Sequence, residues 1–135
     1  MAIDGAPEGW IKDFYADGSG SNQSIGIILV HGFTGTPASM RPWAHYLNER
    51  GYTVSVPLMP GHGTTWHDLN KVTWEQWPAR LQSDIDQMKK KCAKIFICAL
   101  SMGGGISLYV AARNQDSITG LILVNPMIHI PGIQI

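Results

Sequence analysis

At 135 residues, with 44% apolar and 15% charged residues and no formal net charge, the chain reads as one folded domain. Five tryptophans and regular apolar segments exclude a disordered chain, and the neutral balance gives no long-range pull toward nucleic acid or anionic membrane. Residues 1–20 lack a basic start followed by an apolar stretch, and no apolar run approaches a membrane span. No signal peptide and no stable membrane insertion are therefore expected, and the cytoplasm is the default location.

In chain order, residues 1–10 form a loose start and 10–16 a short strand. Residues 17–24 make a turn rich in Gly and Ser. Residues 24–30 are a strong strand, with Ile25, Ile27, Ile28, Leu29 and Val30 nearly continuous, as in a parallel strand covered on both faces. The loop His31-Gly32-Phe33-Thr34-Gly35-Thr36-Pro37 follows. A helix is predicted over 39–50, with Met40, Trp43, Ala44 and Leu47 on one face and Gly51 ending it. Residues 52–56 are a second strand, and 57–63 a rigid loop. Thr73 and Gln76 have capping-box spacing for a helix running to about residue 91. Its buried stripe is Trp77, Leu81, Ile85 and Met88. Residues 94–100 are a third strong strand. Residues 102–114 are a helix, with Ile106, Leu108, Tyr109 and Ala112 expected inside. Residues 118–124 are a last strand, ended by Asn125-Pro126.

This alternation predicts an α/β fold: a mostly parallel sheet with helices on both faces. Ligands in such folds bind outside the carboxyl ends of the strands. His31, Ser101 and Asn125-Pro126 all fall at such ends, so three distant segments are expected to meet at one crevice.

The run from Ile95 to Gly105 carries the chemistry: an apolar strand ends in Ser101, and glycines open the helix behind it. A serine hydroxyl is a weak nucleophile. It needs a base for its proton and dipoles for the oxyanion it creates. The tight turn requires small residues two before and two after the serine, and Ala99 and Gly103 occupy those places. The Met102 N–H, at the helix N-terminus, is one expected oxyanion donor. Phe33 N–H, in the glycine-flanked loop after the first strong strand, is the other, its ring lining an acyl pocket.

The runs His31-Gly32-Phe33-Thr34-Gly35, Pro60-Gly61-His62-Gly63 and Ala99-Leu100-Ser101-Met102-Gly103-Gly104 resemble the α/β-hydrolase superfamily. Their order and spacing most resemble its bacterial carboxylesterase and monoacylglycerol lipase branch, from about residue 25 onward. The resemblance implies Ser101 as catalytic nucleophile and the Phe33 and Met102 amides as oxyanion hole. It makes His31, with Gly32, a support of the oxyanion loop rather than the general base. It implies no cofactor and no metal. The substrate it implies is a small ester or lipid-like molecule cleaved through an acyl-serine intermediate. It also implies a catalytic aspartate and histidine from further along the chain, after a lid inserted behind the strand that ends near Val124. Residues 1–135 are then the N-terminal part of a single α/β-hydrolase domain, incomplete in this chain and inactive alone. Residues 127–135 are the approach to the lid. The family usually has glycine where Ala99 stands; one extra methyl there implies slight strain and retained function.

Other readings stand beside these. A strand, serine and glycines can also form a phosphate-binding turn, but the dinucleotide and P-loop spacings are absent. Ser101 can be an ordinary buried serine. An amidase or peptidase can use the same framework, and so can a non-catalytic binding protein. His62 and His67 are assigned to a loop bordering the pocket, structural or solvated. His45 lies in a helix without a carboxylate partner, and His129 is a weak rival for the base. Asp84 and Asp86 are expected on a solvated face with Lys89 and Lys90. The basic run 89–91 is read as a helix end. Met59, Phe33, Met102 and the tail from Met127 suggest an acyl site, or simply core. Trp66, Trp74 and Trp77 are expected to anchor the long loop and its helix. Cys98 is a small buried hydrophobe, and Cys92 and Cys98 are expected not to pair. An unpaired edge beyond the last strand predicts that a larger polypeptide completes the sheet.

Overall fold

A computed structural model describes residues 6–128. Five strands, β1 (Phe14–Ala16), β2 (Ile25–Val30), β3 (Thr53–Val56), β4 (Lys94–Leu100) and β5 (Gly120–Val124), form one sheet in the order β1-β3-β2-β4-β5. Only the β1–β3 pairing is antiparallel. The helices are α1 (Arg41–Glu49), α2 (Trp66–Asn70), α3 (Gln76–Lys89) and α4 (Met102–Ala112).

The continuous apolar run of β2 resolves into two faces because strand side chains alternate. Ile28 and Val30 join Ile95, Ile97 and Ala99 of β4 under Leu81, Ile85, Ile106 and Val110 of α3 and α4. Ile27 and Leu29 join Cys98, Val54 and Val56 under Met40 and Ala44, at the start of and within α1. β2 pairs with β4 over its whole length, Ile28 opposite Ile97 and Val30 opposite Ala99. The expected two-sided parallel sheet is therefore present.

The strand order decides where a site can form. The chain leaves β2 for β3 on one side and returns past β2 to reach β4 on the other. The connections after β2 and β4 thus diverge and leave a crevice between the two strand ends. Residues 31–35 and Ser101 lie at those ends.

Several elements differ from expectation in extent. The first strand begins at Phe14 rather than Trp10, because residues 7–12 turn back on themselves: Trp10 N–H bonds to Pro7 O and Lys12 N–H to Gly9 O. A 3-10 turn, Pro37–Ser39, precedes α1, with the Thr36 side chain accepting from Ala38 N–H. The long loop contains α2, whose N-cap Thr65 accepts from Asp68 N–H, so His67 is helical. One half of the capping box is made, Thr73 N–H donating to Gln76 Oε1 at 2.8 Å.

Three burial expectations are corrected. Leu108, Tyr109 and Ala112 are exposed, whereas Ser107 and Val110 point inward. A helix of mean apolar character gives no stripe to read, and tertiary position chose the face. Asp84 leaves the solvated face: its carboxylate pairs with Arg80 Nε at 2.9 Å, and Arg80 reaches Asp13 at 3.1 Å. Burial holds the Asp84 carboxyl above the usual carboxylate range, against the pull of Arg80. Trp66 is 65% exposed and stacks on His67 rather than anchoring the loop. Trp77 does anchor it, its indole N–H donating to Pro60 O at 3.0 Å.

On β5, Leu121 and Leu123 pack toward α3 and α4, but Ile122 and Val124 on the other face stay about two-fifths exposed, 43% and 40%. Cys92 and Cys98 are both buried, free thiols. Burial pushes the Cys98 thiol up to about 12, so it behaves as a hydrophobe. His129 and the tail beyond Ile128 lie outside the described residues.

Candidate active site

Ser101 joins β4 to α4 with φ 53° and ψ −118°, a backbone region that favours glycine. A side chain held there costs on the order of 1–3 kcal/mol and persists only where the surroundings over-determine it. Here they do. Ser101 N–H donates to Val124 O at 3.0 Å, and Ser101 O accepts from Gly104 N–H and Met127 N–H, each at 2.9 Å. Ser101 is half-buried, and its hydroxyl has no hydrogen-bond partner among the described residues.

The turn works only because its neighbours are small. Any Cβ on Gly103 would sit 2.6 Å from the carbonyl oxygens of both Val30 and His31. A Cβ on Gly32 would lie 3.3 Å from Ser101 Cβ and 3.9 Å from its Oγ. Glycine at 32 therefore lets the loop after β2 close onto the serine. Ala99, fully buried two residues before it, is accommodated. The amides of Phe33 and Met102 donate to no oxygen among the described residues. Met102 is the residue after the serine, and Phe33 follows Gly32, which packs against it.

His31 is fully buried and both its ring nitrogens are engaged. Nδ1 bonds to Gly32 O at 2.9 Å, and Nε2 accepts the Met59 amide at 3.0 Å. This fixes the neutral ring with its proton on Nδ1. Gly32 O also accepts from Gly35 N–H at 3.0 Å, so the imidazole clamps the turn that presents Phe33. Desolvation lowers the His31 pKa to about 4. Neither nitrogen is available to take a proton from Ser101.

His62 packs among the rings of His31, Phe33 and Trp77, with centroids 5.1, 6.1 and 6.0 Å away. Its Nδ1 bonds to Pro60 O at 3.1 Å, while Nε2 is buried without a partner among the described residues. Burial lowers its pKa as well. His67 is exposed on α2, and His45 packs against Trp10 and Phe14 on α1. No histidine is hydrogen-bonded to a carboxylate among the described residues.

The histidines give a pH prediction. The unfolded chain protonates His31 near 6.5, the folded chain only near 4. Between those values the unfolded state binds the extra proton, so stability rises with pH across that window. We expect full stability above about pH 6.5 and a progressive loss, on the order of 3 kcal/mol, as pH falls toward 4. His62 acts in the same direction. Urea midpoints measured from pH 4 to 8 check this: the His31→Gln variant should show a shallower slope, and an equal slope would refute the assignment.

Beside the serine lies a cavity of about 670 Å³. Phe33 and Met102 line it together with Trp74, Trp77, Tyr109 and Met127, among others, none of them acidic or basic. Its size suits a small-molecule site. Met59, by contrast, is fully buried in the core and is not among the residues lining this cavity. Leu108 and Tyr109 are exposed because they line this cavity. Sequence periodicity cannot separate a core position from a cavity wall, since both are apolar. No group of three or more His, Cys, Asp or Glu side chains suited to a metal exists among the described residues.

A family profile described as "Serine aminopeptidase, S33" matches residues 22–134, so the chain belongs to this α/β-hydrolase family. It is 42% identical over 122 residues to a thermostable monoacylglycerol lipase of Bacillus sp. (strain H-257), covering 90% of this chain and 47% of that protein. It is 39% identical over 83 residues to a carboxylesterase of Bacillus subtilis (strain 168), covering 61% of this chain and 34% of that one. Among solved structures, one reported with the metagenome-derived lipolytic enzymes LipS and LipT superposes with TM-score 0.85 at 31% identity, covering 92% of this chain and 49% of the other. The chain thus spans between about a third and a half of the length of these relatives. These relatives are ester hydrolases on the α/β-hydrolase fold, and the sheet seen here is part of that fold.

Proposed function

We propose that the protein hydrolyses carboxylic esters with an apolar acyl chain, of the carboxylesterase or monoacylglycerol lipase type. The observation that supports this reading is Ser101, strained at a strand-to-helix turn, with Phe33 and Met102, whose amides are unengaged among the described residues, both lining an apolar cavity. The hydroxyl oxygen attacks the ester carbonyl, and the Phe33 and Met102 amides receive the oxyanion. Each such donor contributes about 3 kcal/mol to the barrier reduction in comparable sites. Collapse expels the alcohol and leaves the acyl-serine, which water then cleaves. A histidine and an aspartate supplied by a C-terminal continuation, together with its lid, move the proton. His31 and Gly32 hold the oxyanion loop. No cofactor takes part, and the reading places the enzyme in the cytoplasm. No helix among the described residues is long and apolar enough to cross a membrane.

The family description raises a peptidase as the second reading. The cavity lining argues against it. An aminopeptidase must hold a substrate ammonium, and none of the described residues lining this cavity is a carboxylate. Esters therefore fit better than free amino-terminal peptides.

The test uses p-nitrophenyl esters of two to sixteen carbons and aminoacyl p-nitroanilides, on the chain alone and on the full-length polypeptide. Turnover of medium and long esters by the full-length protein only, with the anilides untouched, is expected. Preferential cleavage of the anilides would replace the ester reading by the peptidase one.

A further inference from the structure

We propose that Met127 is a specificity-determining and positioning residue: it forms part of the acyl cavity wall and, through its amide, holds the peptide of the nucleophile. The inference rests on the hydrolase reading of Ser101.

The segment after β5 does two jobs at once. Val124 O accepts the Ser101 amide, and Met127 N–H donates to Ser101 O. The two bonds bracket the strained residue from one side. The side chains of Met127 and Ile128, one step further on, line the cavity. Between these contacts the chain is redirected at Asn125, whose φ of 44° is left-handed.

The segment is also backed tightly against α4. A Cβ on Gly104 would lie 2.6 Å from Pro126 Cβ, and a Cβ on Gly105 would lie 2.5 Å from Met127 O. Residues 126 and 127 therefore cannot retreat toward the helix, and any displacement of Met127 must go outward. An outward shift lengthens the bond from its amide to Ser101 O. A linear acyl chain needs no such shift, since an unbranched thioether side chain re-adapts within the cavity. A group branched near the carbonyl presses on the Met127 backbone and loosens Ser101. The substrate class this selects is esters of linear rather than α-branched acids.

Two variants of the full-length polypeptide separate the side chain from the amide, measured on paired linear and α-branched p-nitrophenyl esters. Met127→Ala keeps the amide and removes the wall; it should raise KM for linear esters and lift the branched-to-linear ratio of kcat/KM about tenfold. Met127→Pro removes the donor and, like alanine, most of the side-chain wall. Loss of the hydrogen bond should lower kcat about tenfold on every ester relative to Met127→Ala, with the ratio staying at the Met127→Ala level because the bond that branched groups would weaken is already gone. Gly105→Ala, which must displace the Met127 carbonyl, should reproduce the fall in kcat and serves where proline blocks folding. Fluorophosphonate labelling at Ser101, read by peptide mass spectrometry, runs in parallel. An unchanged ratio in Met127→Ala, or wild-type labelling rates in both folded amide-disrupting variants, would overturn the inference while leaving Ser101 as nucleophile. A wild type that is not labelled at Ser101 overturns the hydrolase reading itself, and this inference with it.

Discussion

Replacing Ser101 by alanine in the full-length polypeptide should remove fluorophosphonate labelling and lower ester turnover by about four to six orders of magnitude. The fold should survive, because the residue makes its structural contacts through its backbone. Its N–H and C=O bond to Val124, Gly104 and Met127, and alanine retains both groups. A Ser101→Gly variant adds a second readout. Glycine adopts φ 53° and ψ −118° without steric cost, so the variant should be inactive yet no less stable than Ser101→Ala. Relief of that strain is worth about 1 kcal/mol, set against the entropy glycine adds to the unfolded chain. Labelling that persists in either variant at another residue would remove Ser101 from the mechanism. Thermal melts of the three proteins give the stability comparison.

The second large effect is expected at Gly103, and it is structural first. An alanine methyl there would stand 2.6 Å from two carbonyl oxygens, Val30 O and His31 O, both backbone. Neither is the end of a flexible side chain, so β2 and α4 must separate. Val30 is fully buried beside Ala99 in the sheet and shares a core cluster with Met102, and parting β2 from α4 opens that core. We expect Gly103→Ala to cost at least about 3 kcal/mol, enough to unfold a marginal domain. Any folded fraction should also lose activity, because the same shift carries the Phe33 loop away from Ser101. Urea denaturation and soluble yield check the first point. A variant as stable as wild type would show that the packing of β2 against α4 is looser than described. Alanine at Gly20, where an added Cβ meets nothing within 4 Å, carries only the cost of a side chain at φ 63° and is the control for an uncrowded surface turn.

The contrast between these positions shows what each level of description carries. Ser101 and its glycines were legible in the chain because the turn leaves a local mark: an apolar strand, a serine, then small residues. The strands were legible for the same reason. The runs 24–30 and 94–100 are β-branched and apolar, and β2 and β4 fall on them almost residue for residue. The loop after the first strong strand was legible as well, since glycines around Phe33 mark a close backbone approach, and the resemblance to a known family points to the same amide.

Side-chain environment was less legible. Asp84 carries no local sign that it turns inward, since its partner Arg80 is one helical turn away and Asp13 sits 67 positions from that arginine. The helix α4 is apolar all round, so Leu108 and Tyr109 could not be told from Ile106 and Val110. The two positions that mattered most for this site, His31 and Met127, are defined by contacts with residues far off in the chain. His31 meets Met59 across 28 positions, and the Met127 amide meets Ser101.

The amino-acid sequence by itself determined the order of strands and helices, the place of Ser101 and the tight turn that presents it. Each depends on interactions within a few residues, where side-chain shape and backbone preference act directly. Only the tertiary structure decided that His31 is a neutral clamp, that Leu108 and Tyr109 face a cavity, and that the segment after β5 grips Ser101. Those are packing outcomes: they depend on which strand lies beside which, and a sheet that returns past β2 to reach β4 brings together residues whose separation along the chain carries no trace of the contact.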